Sequence, residues 1–368
     1  MPGPIRAELA LLVAGLASFA VMGAGQAIYG PALPAFARTL SVTVAEAGLL
    51  IPAHWIGCAA GVATMFALGD RVRLWQTVAV MALGAALVGW GPGWGATLAG
   101  AALFGMGYGL CTVLMNQRFL ASFGARGPAM VSVLNAFAAV GAILSPLAYV
   151  ALGSRPDLAY GAVAGLAALT LGIALAVPHR RAGPAAPAEA WRPRPAILAF
   201  GALAVGIEAS LIGLGPVALI ALGESEARSA VLLSGFFVTF LLARLGLAPV
   251  AHRVPPFALL TGCLGATGLL SLGATVAPAP SFVALGACAG LFFPSYFLCA
   301  SGLMGHGPRA SATIIASGLV GAILAPLGIA PLLGVVGQAA FFWIAGGLAL
   351  ATAGAALRAA PALRPHPA

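Results

Sequence analysis

The chain is poor in charge and has no lysine. Of its 368 residues, 17 are Lys or Arg, all of them arginine, and 8 are Asp or Glu, so charged residues make up 7%. A soluble domain carries about a quarter. So little charge cannot cover the surface of a water-soluble globule of this length, which excludes soluble enzymes and disordered tails. The want of lysine, in a chain rich in alanine, reads as coding bias. Basic stripes interleaved with aromatics are also missing, so the net charge of +9 does not point to nucleic acid. The 5 cysteines (Cys58, Cys111, Cys263, Cys288 and Cys299) lie in apolar stretches without paired spacing. That argues against a disulfide framework or a zinc site, and no cofactor or metal is expected.

What is present is apolar length. Hydrophobic residues reach 61% and the mean hydropathy is +1.06. A helix needs about 20 apolar residues to cross the hydrocarbon core. Twelve candidate spans follow, at 9–31, 45–68, 74–90, 95–117, 128–152, 158–178, 196–222, 228–250, 257–276, 281–304, 309–334 and 338–357. Turn residues such as Gly91-Pro92-Gly93 and Ala277-Pro278-Ala279-Pro280 punctuate the junctions. The first span follows Arg6 but is long for a secretory signal, and it is read as a retained helix.

Arginine orients the bundle. With both termini cytoplasmic, the inner side holds Arg6, Arg71, Arg73, Arg118, Arg126, Arg180, Arg181, Arg192, Arg194, Arg253, Arg309, Arg358 and Arg364. The outer side holds Arg38, Arg155 and Arg228, and Arg244 is embedded. The bias fits a positive-inside arrangement in the inner (plasma) membrane of a prokaryote. The stretch 179–195, rich in arginine and proline, reads as a cytoplasmic linker between an N-terminal half (1–178) and a C-terminal half (196–368).

The halves repeat. Ala139-Val140-Gly141-Ala142-Ile143-Leu144-Ser145-Pro146-Leu147 of span 5 returns 180 residues later as Leu319-Val320-Gly321-Ala322-Ile323-Leu324-Ala325-Pro326-Leu327. Gly127-Pro128 recurs at Gly307-Pro308 in the same register. With one residue more, Gly105 and Gly109 of span 4 meet Gly286 and Gly290 of span 10. With one further, Asp70-Arg71-Val72 meets His252-Arg253-Val254. Six spans per repeat make the repeats parallel. The expected fold class is an all-α membrane protein with twelve transmembrane helices in two six-helix parallel pseudo-repeats. Gly105, Gly109, Gly286 and Gly290 permit close helix contact. Pro52, Pro146, Pro294 and Pro326 are expected to break the hydrogen-bond ladder in mid-span. Trp75, Trp90, Trp94 and Trp191 read as interfacial anchors.

With these features the chain resembles the major facilitator superfamily over essentially its whole length. Gly69-Asp70-Arg71-Val72-Arg73 is similar to that superfamily's cytoplasmic signature between spans 2 and 3, in shortened form. The resemblance implies a gate in which Asp70, Arg71, Arg73 and, in the second half, Arg253 pair and release. A plain positive-inside anchor is the other reading of Arg73. Val205-Gly206-Ile207-Glu208-Ala209-Ser210 resembles the acidic span 7 of the fucose/glucose–galactose permease-like branch. Leu242-Ala243-Arg244-Leu245, closed by His252-Arg253, is similar to its span 8, and Asn116 and Asn135 with Gly141 and Pro146 to its spans 4 and 5. Proton-coupled drug exporters match less well: Ala101 and Ala102 stand where they carry an arginine before the span-4 glycine.

A few polar residues are embedded. Glu208 lies about halfway along span 7, where an ionised carboxylate costs several kcal/mol unless paired or hydrated. It is the leading candidate for proton coupling; a structural carboxylate bonded between helices is the alternative. His54, midway in span 2 beside Trp55, is a second proton-coupling candidate, against the reading of a packed core imidazole. Arg244 either binds an anionic substrate, neutralises Glu208 or snorkels inward. Gln26 and Tyr29 in span 1, Asn116 in span 4, Asn135 in span 5, and Ser295 and Tyr296 in span 10 are candidates for substrate hydrogen bonds. The resemblance implies that spans 1, 4, 7 and 10 line the cavity. Asn116 also suits the gate, and Asn135 a helix bridge.

There is no P-loop, no zincin histidine pair and no serine–histidine–carboxylate spacing, so neither ATP-driven pumping nor enzymatic catalysis is expected. The expected function is secondary active transport of a small polar or amphipathic solute by alternating access, coupled to protons. The expected partners are that solute, protons and the lipid bilayer, without nucleic acid, and the chain is expected to be a monomer. Proton-driven efflux of hydrophobic or drug-like compounds is one alternative. A non-transporting membrane assembly or sensor protein is the other.

Overall fold

The computed structural model describes residues 4–179, 192–247, 253–305 and 307–363. His252 and Arg180, Arg181, Trp191 and Arg364 lie outside the described residues, as does the side chain of Asp70. All regular structure among the described residues is helical. In chain order the helices are α1 (Pro4–Leu40), α2 (Val44–Ala47), α3 (Leu50–Leu68), α4 (Leu74–Trp90), α5 (Trp94–Ser122), α6 (Gly127–Ala151) and α7 (Pro156–Leu175). Then follow α8 (Pro195–Ala221), α9 (Glu226–Leu247), α10 (Pro256–Ala274), α11 (Pro278–Met304), α12 (Pro308–Val336) and α13 (Phe341–Ala359). Eleven helical stretches are long and apolar enough to cross a membrane, α2 and α3 together counting as one. The twelfth span, α4, is an apolar helix of 17 residues. The protein is an all-α membrane protein with twelve transmembrane helices.

Local chemistry sets many of the helix starts. Proline occupies the first or second position of α6, α7, α8, α10, α11 and α12. Its missing N–H is costless there, and its fixed φ suits the helix. Thr43 and Glu46 form a capping box. The Glu46 N–H donates to Thr43 Oγ1 at 3.1 Å, and the Thr43 N–H donates to Glu46 Oε2 at 2.7 Å.

Several span limits differ from those expected by a few residues, and two of the differences involve prolines. The first helix does not end near residue 31 but runs to Leu40 through Pro31 and Pro34. Proline is compatible with helical φ, and each costs the ladder only one donor. The second span is broken at Gly48 and Leu49, so α3 begins at Leu50. Pro52 therefore sits in the first turn of α3, where the N–H that proline lacks would have no acceptor within the helix, and not at a mid-span break. Pro146, Pro294 and Pro326 do lie inside their helices, joined by Pro216 in α8 and Pro331 in α12.

Contacts divide the chain into two compact units, 1–185 and 186–368. In the first, α3 packs on α5, α4 on α5 and α7, and α1 on α6 and α7. In the second, α9 packs on α11, α10 on α11 and α13, and α8 on α12 and α13. Shifted by the sequence repeat, these are the same pairs. The glycines of the repeat form the tightest joints. A Cβ on Gly105 would collide with the His54 carbonyl oxygen, and one on Gly109 with that of Cys58. In the second unit a Cβ on Gly286 would strike the Phe236 carbonyl, and one on Gly290 the Phe240 carbonyl. Small residues thus let backbone lie on backbone, which is how helices attract when lipid supplies no hydrophobic drive.

Candidate functional site

Glu208 stands at the centre of α8, a helix of 27 residues. The residue is half-buried. Its Oε2 is enclosed and has no hydrogen-bond partner among the described residues. Arg244 of α9 is within electrostatic reach. The Arg244 Nε–H donates to the Gly290 carbonyl of α11 at 2.8 Å, and Cζ lies 4.2 Å from the Phe240 ring centroid. So this cation is neither loose in a cavity nor snorkelled away. It is held between α9 and α11, with Glu208 of α8 within electrostatic reach.

Two further candidates on α11 already have protein partners. The Ser295 hydroxyl donates to the Leu291 carbonyl at 2.6 Å, within its own helix. Fully buried Tyr296 donates to the Ile314 carbonyl at 3.1 Å and also contacts the Ser317 hydroxyl, bracing α11 on α12.

In the first unit His54 is 1% exposed, and neither ring nitrogen has a hydrogen-bond partner among the described residues. Aromatic rings enclose it. Their centroids lie 5.1 Å (Trp55), 5.3 Å (Tyr108), 5.5 Å (Tyr29) and 5.7 Å (Phe104) from the imidazole. Tyr29 is also buried, and its hydroxyl makes no hydrogen bond of ordinary geometry. Beside it, Tyr160 of α7 donates to the Gly25 carbonyl of α1 at 2.9 Å. Leaving a buried polar group unpaired costs about 1–3 kcal/mol, so the two imidazole nitrogens are kept here at a cost to stability.

Gln26 is half-buried on α1. Asn116, near the C-terminal end of α5, has an enclosed Oδ1 without a partner among the described residues. Asn135 is exposed, and its amide donates to the Val131 carbonyl one turn back at 2.9 Å, so in this arrangement it serves its own helix. Of the gate candidates, Arg71 and Arg73 are exposed around the turn after α3, which Gly69 makes with φ +49°. The Val72 N–H closes that turn on the Gly69 carbonyl, and the Arg73 N–H donates to Gln76 Oε1 at 2.7 Å. Arg253 is exposed just before α10. No group of three or more metal-binding side chains occurs among the described residues.

Comparison with known proteins decides the family. The family model for the Major Facilitator Superfamily matches residues 15–326, most of the chain. The chain belongs to this superfamily. No curated protein matches the sequence. Solved structures match the fold at low identity. A variant of the nucleoside transporter NupG is 14% identical with a TM-score of 0.78, covering 96% of this chain and 99% of that one. The D-xylose–proton symporter is 14% identical with a TM-score of 0.73, covering 95% and 97%. The POT family transporter PepTSo is 13% identical with a TM-score of 0.75, covering 99% of each chain.

As a major facilitator, the protein is an integral membrane protein for secondary transport and not an enzyme. Sequence reasoning missed several neighbours within its two units. Phe240 precedes Arg244 by four residues, the spacing of one helical face, and Gly290 precedes Pro294 by four. Both signals are visible in the chain but gain meaning only when α9 is laid against α11. The ring of aromatics about His54 comes from α1, α3 and α5, and only adjacent Trp55 was legible.

Proposed function

We propose that this protein is a proton-coupled transporter of a small polar or amphipathic solute, working by alternating access, with Glu208 as the proton carrier. One observation carries the reading: a carboxylate oxygen at the centre of a membrane-spanning helix is enclosed and unbonded among the described residues. A charge held there costs several kcal/mol unless it is paired or hydrated. Protonation removes that charge, and attraction by Arg244 offsets part of the cost when the proton leaves. A carboxyl group placed between those two states is suited to accept a proton on one side and give it up on the other. His54 is assigned a second role in the proton path, and Gln26, Tyr29 and Asn116 are assigned to the substrate. Such a polar set is thin for a sugar, which would want more amides and carboxylates. It speaks equally against a non-transporting assembly role.

The reading extends to topology and kinship. Exposed Arg71, Arg73, Arg126, Arg253 and Arg309 belong to the inner set, which supports cytoplasmic termini in a prokaryotic plasma membrane, with 179–195 as the linker. Arg71, Arg73 and Arg253, with Asp70, would form the inner gate. The motifs around Glu208, Arg244 and Asn116 support placement near the fucose/glucose–galactose permease-like branch, and the working unit is taken as a monomer.

The test begins with a thermal-shift screen of purified protein against sugars, organic acids and amino acids at two pH values. The hit is then followed in proteoliposomes under an imposed proton gradient. Glu208→Gln is expected to abolish proton-driven accumulation while sparing exchange. Full accumulation by that variant would overturn the assignment. Everted vesicles separate uptake from the alternative, efflux of hydrophobic compounds, because export there registers as uptake.

A further inference from the structure

The helix α11 is built around a proline, and the surroundings of that proline point beyond the role of Glu208. Pro294 lies inside α11 and has no N–H. The carbonyl four residues earlier, that of Gly290, therefore lacks its helical donor. Arg244 supplies one from the neighbouring helix: its Nε–H reaches the Gly290 oxygen at 2.8 Å. Phe240, one turn earlier on α9, holds the guanidinium against its ring at 4.2 Å. Gly290 has to be glycine for this approach, since a Cβ there would stand 2.5 Å from the Phe240 carbonyl oxygen. Glu208, at the centre of α8, lies within electrostatic reach of the same guanidinium. The helices α8, α9 and α11 pack on one another pairwise.

We propose that Arg244 is a positioning residue that ties the charge state of Glu208 to the proline break in α11. Glu208 and the Gly290 carbonyl both draw on this cation. When Glu208 is ionised it draws the guanidinium and weakens the hold on Gly290. When Glu208 is neutral the guanidinium rests on the carbonyl and the Phe240 ring, and the break in α11 is braced. Other titratable groups on the helices packed against α8 are otherwise placed. Tyr296 is bonded to α12, Cys288 and Cys299 lie on α11, and Glu226, Arg228, Arg309 and Arg358 stand near helix ends. The device belongs to the second repeat alone. At the corresponding positions of the first, Val62 stands for Arg244 and Val113 for Pro294. The inference rests on Glu208 gaining and losing a proton, as proposed above, but its test needs no substrate.

Hydrogen–deuterium exchange of purified protein in detergent micelles, read on peptides covering 286–300, measures the brace. Glu208→Gln, which keeps the site neutral, is expected to slow exchange there. Arg244→Met is expected to speed it about tenfold, the loss of a hydrogen bond from a charged donor. The double variant should match Arg244→Met alone. Pro294→Ala, which returns a helical donor to Gly290, should respond to neither change. If Glu208→Gln alters exchange by the same factor with and without Arg244, Arg244 is merely structural and the proposal is overturned. Should Arg244→Met fail to fold, Arg244→Lys keeps a cation without the planar fork and is expected to weaken the Glu208→Gln response; a full response would overturn the proposal. Exchange in α11 that ignores Glu208→Gln overturns this inference while leaving the proton-carrier reading standing. Proton-driven accumulation by Glu208→Gln overturns that reading instead.

Discussion

The two repeats use the same joints and place different chemistry on them. Gly105 rests on the His54 carbonyl and Gly286 on that of Phe236; Gly141 rests on the Ala20 carbonyl and Gly321 on that of Ala202. Reading across these matched joints, His54 corresponds to Phe236, Gln26 to Glu208, Val62 to Arg244 and Gly57 to Thr239. The small residues are shared because backbone contact tolerates nothing else. The ionisable residues are not shared. The first repeat holds a histidine and an amide where the second holds a phenylalanine and a carboxylate. A frame made of glycine contacts leaves the remaining positions free to diverge, and it is there that the repeats carry different polar residues.

The largest expected effects test the shared frame. Gly105→Val and Gly286→Val each drive a branched side chain into a backbone carbonyl that no rotamer change can move aside. Overpacking commonly costs 1–3 kcal/mol, and an obstacle made of backbone puts these at about 3 kcal/mol or more. Loss of monodisperse protein in size-exclusion chromatography is the expected readout for both. Gly302→Ala, with nothing within 4 Å of its Cβ, is the contrast. It should be neutral or stabilise by up to about 1 kcal/mol, as alanine does over glycine in a helix. Tolerance of Gly105→Val beside failure of Gly286→Val would show that the joints are not equivalent.

A middle-sized effect tests the difference between the repeats. His54→Phe installs the residue type that the second repeat carries at that joint. Both imidazole nitrogens lack partners among the described residues, so the change removes an unpaired buried polar group. A gain of about 1–3 kcal/mol is expected, seen as a higher unfolding temperature in detergent. Transport should fall at the same time, because function is what offsets such a cost in a native chain. Higher stability with full transport would reduce His54 to packing and leave the first repeat without a proton role.

The fold is largely legible in the sequence, for a physical reason. Spans are long apolar runs, their ends are punctuated by Gly and Pro, and the repeat is carried by residues that cannot change without collision. The exceptions are instructive. Pro31 and Pro34 did not end α1, since the fixed φ of proline is itself helical. Pro52 proved to be a first-turn residue because Gly48 and Leu49 interrupt the span before it. The candidate site was legible in identity but not in connection. Glu208, His54 and Arg244 stand out because lipid penalises them. That Arg244 serves the Gly290 carbonyl, that Tyr296 braces α12, or that four rings enclose His54 depends on facing helices, and no local pattern encodes it.

The smallest effect probes the joint at which the repeats differ in spacing. In the first, Gly57 lies so close to α5 that a Cβ would strike the Ala102 carbonyl. In the second, the corresponding Thr239 fits, and its hydroxyl donates to the Val283 carbonyl at 2.6 Å, the counterpart of that of Ala102. Where the first repeat closes the gap by deleting a side chain, the second bridges it with a hydrogen bond. Such bonds between membrane helices average about 0.6 kcal/mol, since the unfolded chain in lipid also finds partners. Thr239→Val should therefore lower the unfolding free energy by about that amount, while Thr239→Ser, which keeps the hydroxyl, should leave it unchanged. Equal losses from both would mean that the threonine methyl group, and not its hydroxyl, holds α9 to α11.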